Sequence, residues 1–310
     1  MNNPFSIAIH GGAGTIHKSN MSDEKELAYK GALSSALDKG YKTLANGKSA
    51  LDAVEIAVTI LEDSHLFNAG KGSVFTNYGK HEMDASIMEG KSLLGGAVAG
   101  ISGIKNPIQL SRKIMEESGH VFLMGDGALE FAKEQGFTLE NDEYFYDELR
   151  YQQWQKALKD GVVQLDHSPL KENKFGTVGA VALDQFGNVA AATSTGGMTN
   201  KKYGRVGDSP MLGAGNYANN NTCAVSCTGN GEFFIRGVVA YDVSCLMEYK
   251  GFSLAQACEE VVQKRLLSIG GDGGLIAVDA IGNLCLEFNT DGMYRGMRTN
   301  SGEEFIGIYQ

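Results

Sequence analysis

The sequence predicts an α+β fold in which helices cover the outer faces of stacked β-sheets. Apolar segments of strand length recur along the chain, and in the second half short turns join several of them into hairpins. Amphipathic helices stand between groups of strands instead of following each strand in turn. The 41 glycines, against only 4 prolines, fall largely at strand–turn junctions. This order favours a layered α+β domain over the βαβ repeat of a dinucleotide-binding fold.

Composition narrows the possible partners. With 310 residues, 43% of them hydrophobic, the chain can bury a large core, and its length allows one domain or two. The net charge of −10 argues against nucleic acid and anionic membranes, because clustered Lys and Arg are needed to bind phosphate groups. The start of the chain is neither basic nor strongly apolar. This predicts a cytoplasmic protein without a secretory signal or a transmembrane span.

The cysteines predict buried free thiols. Their number is odd, they lack metal-ligand spacing, and their neighbours are apolar. They are Cys223, Cys227, Cys245, Cys258 and Cys285. Cys223 and Cys227 would share one face of a strand, where core packing is favoured over ligation of a metal.

The first half predicts a buried strand followed by groups of helices and strands. The strand is Phe5–His10, and the Gly-rich segment Gly11–Gly14 indicates a tight strand exit, since it lacks the Gly-Lys-Ser/Thr of a phosphate loop. Caps and apolar spacing indicate helices at 22–46, 49–62, 107–118, 128–135 and 148–158. Strands are indicated at 82–89, 93–101 and 121–124. The polar segment 137–175 ends in a predicted exposed linker at 167–175.

The second half predicts three hairpins and two helices. The hairpins join 177–184 to 188–194, join 223–228 to 232–236, and span 273–289. The helices lie at 237–249 and 253–267. The first and third hairpins share the order apolar strand, Asp, turn, Gly-Asn, strand. This likeness is interpreted as two similar hairpins in one sheet system.

The dipeptide Gly176-Thr177, at the start of the first hairpin, is the most informative candidate for chemistry. If this peptide bond were cut, Thr177 would carry a hydroxyl nucleophile and its own amine base on one residue. Glycine before it leaves the Gly176 carbonyl open to attack. For the dipeptide taken alone, an ordinary Gly-Thr at a strand entrance is the alternative.

The histidines offer no recognisable catalytic arrangement. All six precede Thr177 in the chain, and neither GxSxG nor HExxH occurs. They are His10, His17, His65, His81, His120 and His167. Structural or solvated roles are favoured for each. The pKa of an α-amine is about 8, so a modest downward shift of this pKa would leave the amine of Thr177 neutral enough to act as the base.

Three further segments place polar groups where they can meet a small ligand. Thr195 ends the strand predicted to pair with the Thr177 strand, although a hydroxyl-rich strand end explains it equally well. Arg205 and Asp208 match the α-carboxylate and α-ammonium of an amino acid, or form a surface ion pair. Thr228-Gly229 ends another strand and suits either an oxyanion hole or a simple turn.

Seven segments, in chain order, resemble the plant-type L-asparaginase/isoaspartyl aminopeptidase family of N-terminal-nucleophile hydrolases, and bacterial isoaspartyl peptidases most closely. They are IAIHGGAG, FNAGKGSVFT, GTVGAVALD, ATSTGGMTNKKYGRVGDSP, GAGNYANN, AVSCTGNGE and FNTDGMYRG. The resemblance covers nearly the whole chain and implies one domain, 1–310, with a four-layer αββα sandwich. It implies autoproteolysis at Gly176-Thr177 into an α subunit, 1–176, and a β subunit, 177–310. Two such pairs would form a dimer of αβ heterodimers.

The resemblance also implies catalytic roles for residues of this chain. Thr177 would be the nucleophile and Thr195 its hydroxyl partner, while Asn68 would help to position the nucleophile region. The Thr228 hydroxyl and the Gly229 N–H would form the oxyanion hole. No cofactor is implied for catalysis.

Substrate recognition follows from the same resemblance. Arg205 would bind the substrate α-carboxylate, and Asp208 with the Gly231 carbonyl would bind the α-ammonium. The implied activity is hydrolysis of β-aspartyl dipeptides and L-asparagine. The alternatives are a glycosylasparaginase of the same fold, a threonine-type endopeptidase, which the Arg205 and Asp208 pair disfavours, and a non-catalytic amino-acid-binding relative.

A structural sodium ion is the last implication of the resemblance. Backbone carbonyls of a loop would bind it, namely those of Leu61, Glu62, Ser64, Phe67, Ala69 and Lys71. Lys71 departs from the apolar residue that the resemblance leads us to expect at its position. Carbonyl ligation tolerates any side chain, but a nearby ammonium group weakens the binding of a cation.

Overall fold

The computed structural model describes residues 3–163 and 176–310, which contain twelve β-strands in two sheets. The linker predicted at 167–175 lies outside these residues. The strands are β1 (Ser6–Gly14), β2 (Met83–Glu89), β3 (Gly95–Ile101), β4 (Phe122–Met124), β5 (Val178–Leu183), β6 (Val189–Thr195), β7 (Asn216–Ala218), β8 (Cys223–Gly229), β9 (Gly273–Asp279), β10 (Leu284–Phe288), β11 (Gly292–Thr299) and β12 (Glu304–Tyr309). The larger sheet has the order β12-β11-β1-β5-β6-β2-β3-β4, and the smaller has the order β10-β9-β8-β7.

Nine α-helices are present in the same ranges. They are α1 (Asp23–Ala45), α2 (Ala50–Glu62), α3 (Pro107–Glu117), α4 (Gly125–Glu134), α5 (Asp142–Phe145), α6 (Glu148–Asp160), α7 (Gly231–Gly237), α8 (Val239–Lys250) and α9 (Leu254–Glu259). The predicted N-cap at Ser22 and capping box at Ser49 are confirmed by their hydrogen bonds. Helix α9 continues into a turn of π-helix, Glu260–Leu266. None of these helices combines the length and the apolar character needed to span a lipid bilayer.

Three layers of buried side chains define the architecture. One layer lies between the larger sheet and helices α1–α4. A second lies between the smaller sheet and helices α7–α9. The third, built largely from alanine, valine and methionine, lies between the two sheets. The predicted four-layer αββα sandwich is therefore confirmed.

Strand β5 shows why its sequence is apolar without interruption. Val178 and Ala180 face the helices, whereas Val181 and Leu183 face the smaller sheet. A strand buried on both faces has no solvent side on which polar residues would be favoured. The same alternation in β8 turns Cys223 and Cys227 toward the helices, as expected.

The hairpin predicted from 223–228 and 232–236 is wrong. Residues 223–229 form β8, but the second segment is helix α7. Strand β8 already pairs with β7 on one edge and with β9 on the other, so no edge remains for another strand. The apolar residues of the segment pack as one helical turn, and Phe234 enters the core beneath the smaller sheet.

The two similar hairpins are both present, one in each of the two stacked sheets. The hairpin β5–β6 belongs to the larger sheet, and β9–β10 belongs to the smaller sheet packed against it. Their turns do have one design. Asp184 accepts backbone N–H bonds from Phe186 and Asn188 in the first hairpin. In the other hairpin, Asp279 accepts the backbone N–H groups of Ile281 and Asn283.

Asp184 links its turn to a helix as well. Its second carboxylate oxygen accepts the N–H of Ala50, the first residue of α2, at 3.0 Å. Asp184→Ala therefore leaves three backbone donors without acceptors, and should lower the free energy of unfolding by about 2–4 kcal/mol. Urea unfolding of the Thr177→Ala chain, used to keep one uncut polypeptide, measures this change.

Asp279→Ala in the same background is the control, because it removes the same two backbone turn bonds, while the second oxygen of Asp279 accepts from the Asn283 side chain instead of from a helix. We expect it to cost less than Asp184→Ala. Equal costs for the two substitutions would contradict the role given to the Ala50 contact.

Candidate active site

The register of β5 against β6 brings two threonines together. Val178 lies opposite Ser194, so the next pair outward is Thr177 and Thr195. Thr195 is held from its other side by strand β2, where it lies opposite Asp84. Both threonines are buried, Thr177 with 8% exposure and Thr195 with 4%. Two hydroxyl groups thus sit at one end of the larger sheet, where β5 begins.

A cavity of about 20 Å³ lies against these threonines. Seven of the residues singled out in the sequence line it, namely Asn68, Gly176, Thr177, Thr195, Arg205, Asp208 and Gly229. Ser209 also lines it, and the Ser209 hydroxyl lies 3.5 Å from the hydroxyl of Thr177. A space of this size holds about one water molecule, so a larger ligand requires part of the wall to move.

Thr228 and Gly231 lie directly behind this lining. The Thr228 side chain is fully buried, and its hydroxyl oxygen accepts the N–H of Ala13 at 3.3 Å. A hydroxyl that accepts through its oxygen keeps its own hydrogen for donation. A Cβ added to Gly231 would lie 2.8 Å from Oδ1 of Asp208 and 3.0 Å from Nη2 of Arg205. Both charged groups therefore approach the backbone at Gly231.

Gly12 and Asn68 shape the wall beside the threonines. A Cβ on Gly12 would come within 2.4 Å of the Gly176 nitrogen, and the φ of Gly12 is +114°. The segment predicted as a strand exit is in fact part of β1, with an irregularity between His10 and Gly12 that lets Gly176 approach. Asn68 donates to the Gly197 carbonyl at 2.7 Å, which fixes the loop after β6.

His10 holds the backbone of Thr177 and is not placed to act as a base. Its Nδ1 donates to the Thr177 carbonyl at 3.0 Å. Its Nε2 therefore accepts from the Ser226 hydroxyl at 2.9 Å, and Thr193 extends the network. Complete burial lowers the pKa of His10 to about 3, although the bond to Thr177 acts in the opposite direction. The imidazole is consequently neutral at physiological pH, and both ring nitrogens are engaged.

The Arg205 guanidinium is paired with a residue that the sequence analysis did not single out. Nε and Nη2 donate to the two carboxylate oxygens of Glu232, at 2.9 and 2.8 Å. Arg205 and Asp208 line the same cavity without forming the direct ion pair considered from the sequence. Partial burial acts to raise the pKa of Glu232, but the hydrogen bond and charge of Arg205 together lower it.

Asp208 is a buried carboxyl group with one oxygen unused. Within residues 3–163 and 176–310, its Oδ2 has no hydrogen-bond partner. Burial raises the pKa of Asp208 to about 7, against the opposing effect of Arg205. A buried carboxylate is costly unless a cation or donor reaches it. An ammonium group in the cavity would supply that partner.

The loop expected to bind sodium has carbonyl groups crowded around two glycines. A Cβ on Gly70 would lie 2.5 Å from the Glu62 carbonyl oxygen, and one on Gly72 would lie 2.1 Å from that of Phe67. The exposed Lys71 side chain places its ammonium 5.4 Å from the centre of the Tyr144 ring. The ring thus offers the ammonium a partner, and the residues present are compatible with a cation bound by backbone carbonyls.

Four residues at the site escaped the sequence analysis as site residues, namely His10, Ser209, Ser226 and Glu232. Each acts through a partner far away along the chain or through backbone geometry, which no local pattern reveals. All four lie in segments quoted for the resemblance, and Ser209 and Glu232 directly follow the candidate residues Asp208 and Gly231.

The buried neutral His10 predicts a loss of stability in acid. The unfolded chain binds a proton at this histidine below about pH 6.5, whereas the folded chain does not until about pH 3. Stability is therefore lost as pH falls through this window, by up to about 1.4 kcal/mol per unit. His10→Asn keeps a donor for Thr177 and removes the titration. The urea midpoints of the two proteins should approach each other between pH 7 and pH 4.5.

His120→Asn replaces an exposed histidine and is the control. A gap between the wild type and His10→Asn that stays constant over this pH range would rule out a buried neutral imidazole.

Comparison with known proteins agrees with this geometry. A profile of the asparaginase family matches residues 3–308. The isoaspartyl peptidases of Escherichia coli (strain K12) and Salmonella typhimurium are 55% and 54% identical to the chain; the matches cover 98% and 99% of it, and 96% and 99% of those proteins. A plant-type L-asparaginase of Pyrococcus horikoshii is 42% identical, with 98% of the chain and 99% of that protein covered. The chain belongs to the asparaginase family.

Proposed function

We propose that this protein hydrolyses β-aspartyl dipeptides and L-asparagine with Thr177 as an N-terminal nucleophile. The observation that carries the proposal is one small cavity that Thr177, Arg205 and Asp208 line together, with one oxygen of the Asp208 carboxyl unused. Relatives over 50% identical along nearly the whole chain bear the name isoaspartyl peptidase, which supports the same activity.

Hydrolysis of the Gly176-Thr177 bond is the first step of the proposal. It consumes one water molecule and produces a carboxylate on Gly176 and an amine on Thr177. Gly176 lines the small cavity, so its departure would enlarge the space beside the nucleophile. The chain would then consist of an α subunit, 1–176, and a β subunit, 177–310.

The new amine of Thr177 supplies the base. No histidine in the described part of the chain lines the cavity, and His10 is already held by Thr177 and Ser226. The amine accepts the proton of the Thr177 hydroxyl as Oγ attacks the side-chain carbonyl of the substrate. Thr195, directly opposite in the sheet, provides the hydroxyl that orients this pair.

Negative charge on the attacked carbonyl oxygen is stabilised by Thr228 and Gly229. The Thr228 oxygen accepts from Ala13 and keeps its own hydrogen for donation, and the Gly229 N–H would be the second donor. The leaving amine takes the proton held by the Thr177 amine. Water then hydrolyses the β-aspartyl ester on Thr177 and releases aspartate.

Arg205 and Asp208 give the substrate its orientation. Arg205 binds the α-carboxylate, and Asp208 binds the α-ammonium together with the carbonyl of Gly231. An α-linked peptide has its aspartyl α-carboxyl tied up in the scissile bond, and would leave Arg205 without a substrate carboxylate to bind. The site therefore selects β-linked peptides and asparagine.

Three further features belong to the proposal. The carbonyls of Leu61, Glu62, Ser64, Phe67, Ala69 and Lys71 would hold a structural sodium ion, which would brace the loop that carries Asn68. Two αβ pairs would assemble as a dimer of heterodimers. The cytoplasmic location stays a prediction from the sequence.

Intact mass under denaturing conditions tests the cleavage. A chain of 33.1 kDa cut after Gly176 should give fragments of about 19 and 14 kDa, in proportion to their lengths. Thr177→Ala should remain whole because it lacks the attacking hydroxyl, and Thr177→Ser should still be cut. A wild type that stays intact on long incubation would remove the proposed base and favour an amino-acid-binding role.

The raised pKa of Asp208 predicts how ligand binding depends on pH. Below about pH 7 the carboxyl is protonated and cannot pair with an ammonium group. The inhibition constant of L-aspartate should then rise as pH falls, by up to about tenfold per unit. Succinate, which is aspartate without the ammonium, is the control ligand. The ratio of the two inhibition constants separates the titration of Asp208 from that of the Thr177 amine. A ratio independent of pH would contradict the binding of the ammonium group by Asp208.

A further inference from the structure

Arg205 and Glu232 form an ion pair of defined geometry. The contacts use Nε and Nη2 of the guanidinium and both oxygens of the carboxylate. This is the bidentate arrangement in which two parallel hydrogen bonds fix the plane of the guanidinium. The Arg205 side chain is 18% exposed, whereas that of Glu232 is 49% exposed. Glu232 therefore approaches Arg205 from the solvent side.

The other edge of the same guanidinium remains available. A Cβ on Gly207 would lie 2.9 Å from Nη1 of Arg205, and no acceptor among the described residues bonds Nη1. Arg205 and Gly207 both line the cavity, but Glu232 does not. A guanidinium has five N–H donors, so the edge formed by Nη1 and Nη2 can bind a second carboxylate. A ligand carboxylate can thus reach Arg205 without displacing Glu232.

Two roles for Glu232 make opposite predictions. If its carboxylate occupied the place of the ligand carboxylate, removing it would strengthen ligand binding. If it holds the guanidinium in plane, removing it would free a long side chain, which must then be ordered again whenever a ligand binds. The separate edges of Arg205 and the absence of Glu232 from the cavity lining favour the second role.

We propose that Glu232 is a positioning residue that holds Arg205 for recognition of the ligand α-carboxylate, an inference that rests on the proposed function. Its effect is confined to the carboxylate end of the ligand. The guanidinium lies close to two glycines, since a Cβ on Gly207 would be 2.9 Å from Nη1 and one on Gly231 would be 3.0 Å from Nη2. Selectivity for a free α-carboxylate therefore depends on a residue that touches no ligand atom.

Three inhibitors separate this role from a general structural one. L-Aspartate carries both α groups, succinate lacks only the α-ammonium, and β-alanine lacks only the α-carboxylate. Glu232→Gln keeps the size of the side chain but replaces one acceptor by an NH₂ group, which faces a donor of Arg205. On the cleaved enzyme, we expect the inhibition constants of L-aspartate and succinate to rise about three- to tenfold. The inhibition constant of β-alanine should change less than about twofold, and so should the kcat for L-asparagine.

Two control variants complete the experiment. Glu116→Gln removes a carboxylate that pairs with Arg112 elsewhere on the molecule and should change none of the three constants. In an Arg205→Ala background, Glu232→Gln should have no further effect on succinate. An equal loss for all three inhibitors would show a general structural role and overturn the proposal. Tighter binding of L-aspartate would also overturn it, because Glu232 would then be a competitor.

The same data keep this inference distinct from the proposed function. A wild-type enzyme that is inhibited by none of the three compounds, and does not hydrolyse L-asparagine, would refute the proposed function and with it the role of Glu232. A wild type that is inhibited by L-aspartate, with Glu232→Gln indistinguishable from it for all three inhibitors, would refute the role of Glu232 alone.

Discussion

The pairing register of β5 with β6 is the constraint on which the site depends. Leu183 lies opposite Val189 at the turn, and Val178 lies opposite Ser194 at the far end, which leaves Thr177 beside Thr195. Because side chains alternate between the faces of a strand, a slip of one residue would exchange the side chains that face the helices with those that face the smaller sheet, and would separate the two hydroxyls. The carboxylate of Asp184 fixes this register by binding both the turn and the start of α2.

Burial gives the polar groups at the site their properties. Desolvation lowers the pKa of His10, so the neutral imidazole supports the Thr177 backbone through a hydrogen bond. Desolvation also raises the pKa of Asp208. Arg205 pairs with Glu232 at the border of solvent. The site thus combines a neutral support, a carboxyl that awaits a cation and a guanidinium with one free edge. Together these are suited to a small zwitterionic ligand.

The sequence predicted those features that depend on neighbours along the chain. The hairpin β5–β6 and helix α2 follow from apolar runs, a turn aspartate and a capping box. Helix α7 could not be predicted, because its apolar pattern also fits a strand and only the occupied edges of β8 exclude one. Strand β11 was not predicted because its two arginines interrupt the apolar pattern that indicates a buried strand. Arg295 and Arg298 lie over the rings of Phe288 and Tyr41 instead of facing water alone.

Part of the site was also predicted from residues that are neighbours along the chain. The threonines and the Arg205–Asp208 loop stand in short segments with a clear chemical meaning, and the structure brings them to one cavity. The supports of these residues come from distant strands and helices. Ser226 reaches His10 across 216 positions, and no local pattern reports such a contact.

Trapping of the acyl-enzyme tests whether Thr177 Oγ is the nucleophile. The cleaved protein would be mixed with L-asparagine, quenched in acid within one turnover and analysed by peptide mass spectrometry. If Thr177 is the nucleophile, one β-aspartyl group is expected on the peptide that begins with Thr177, absent when substrate is omitted and released on continued incubation. Hydrolysis of L-asparagine with the aspartyl group on another residue, or without any covalent intermediate when turnover is slowed, would contradict it.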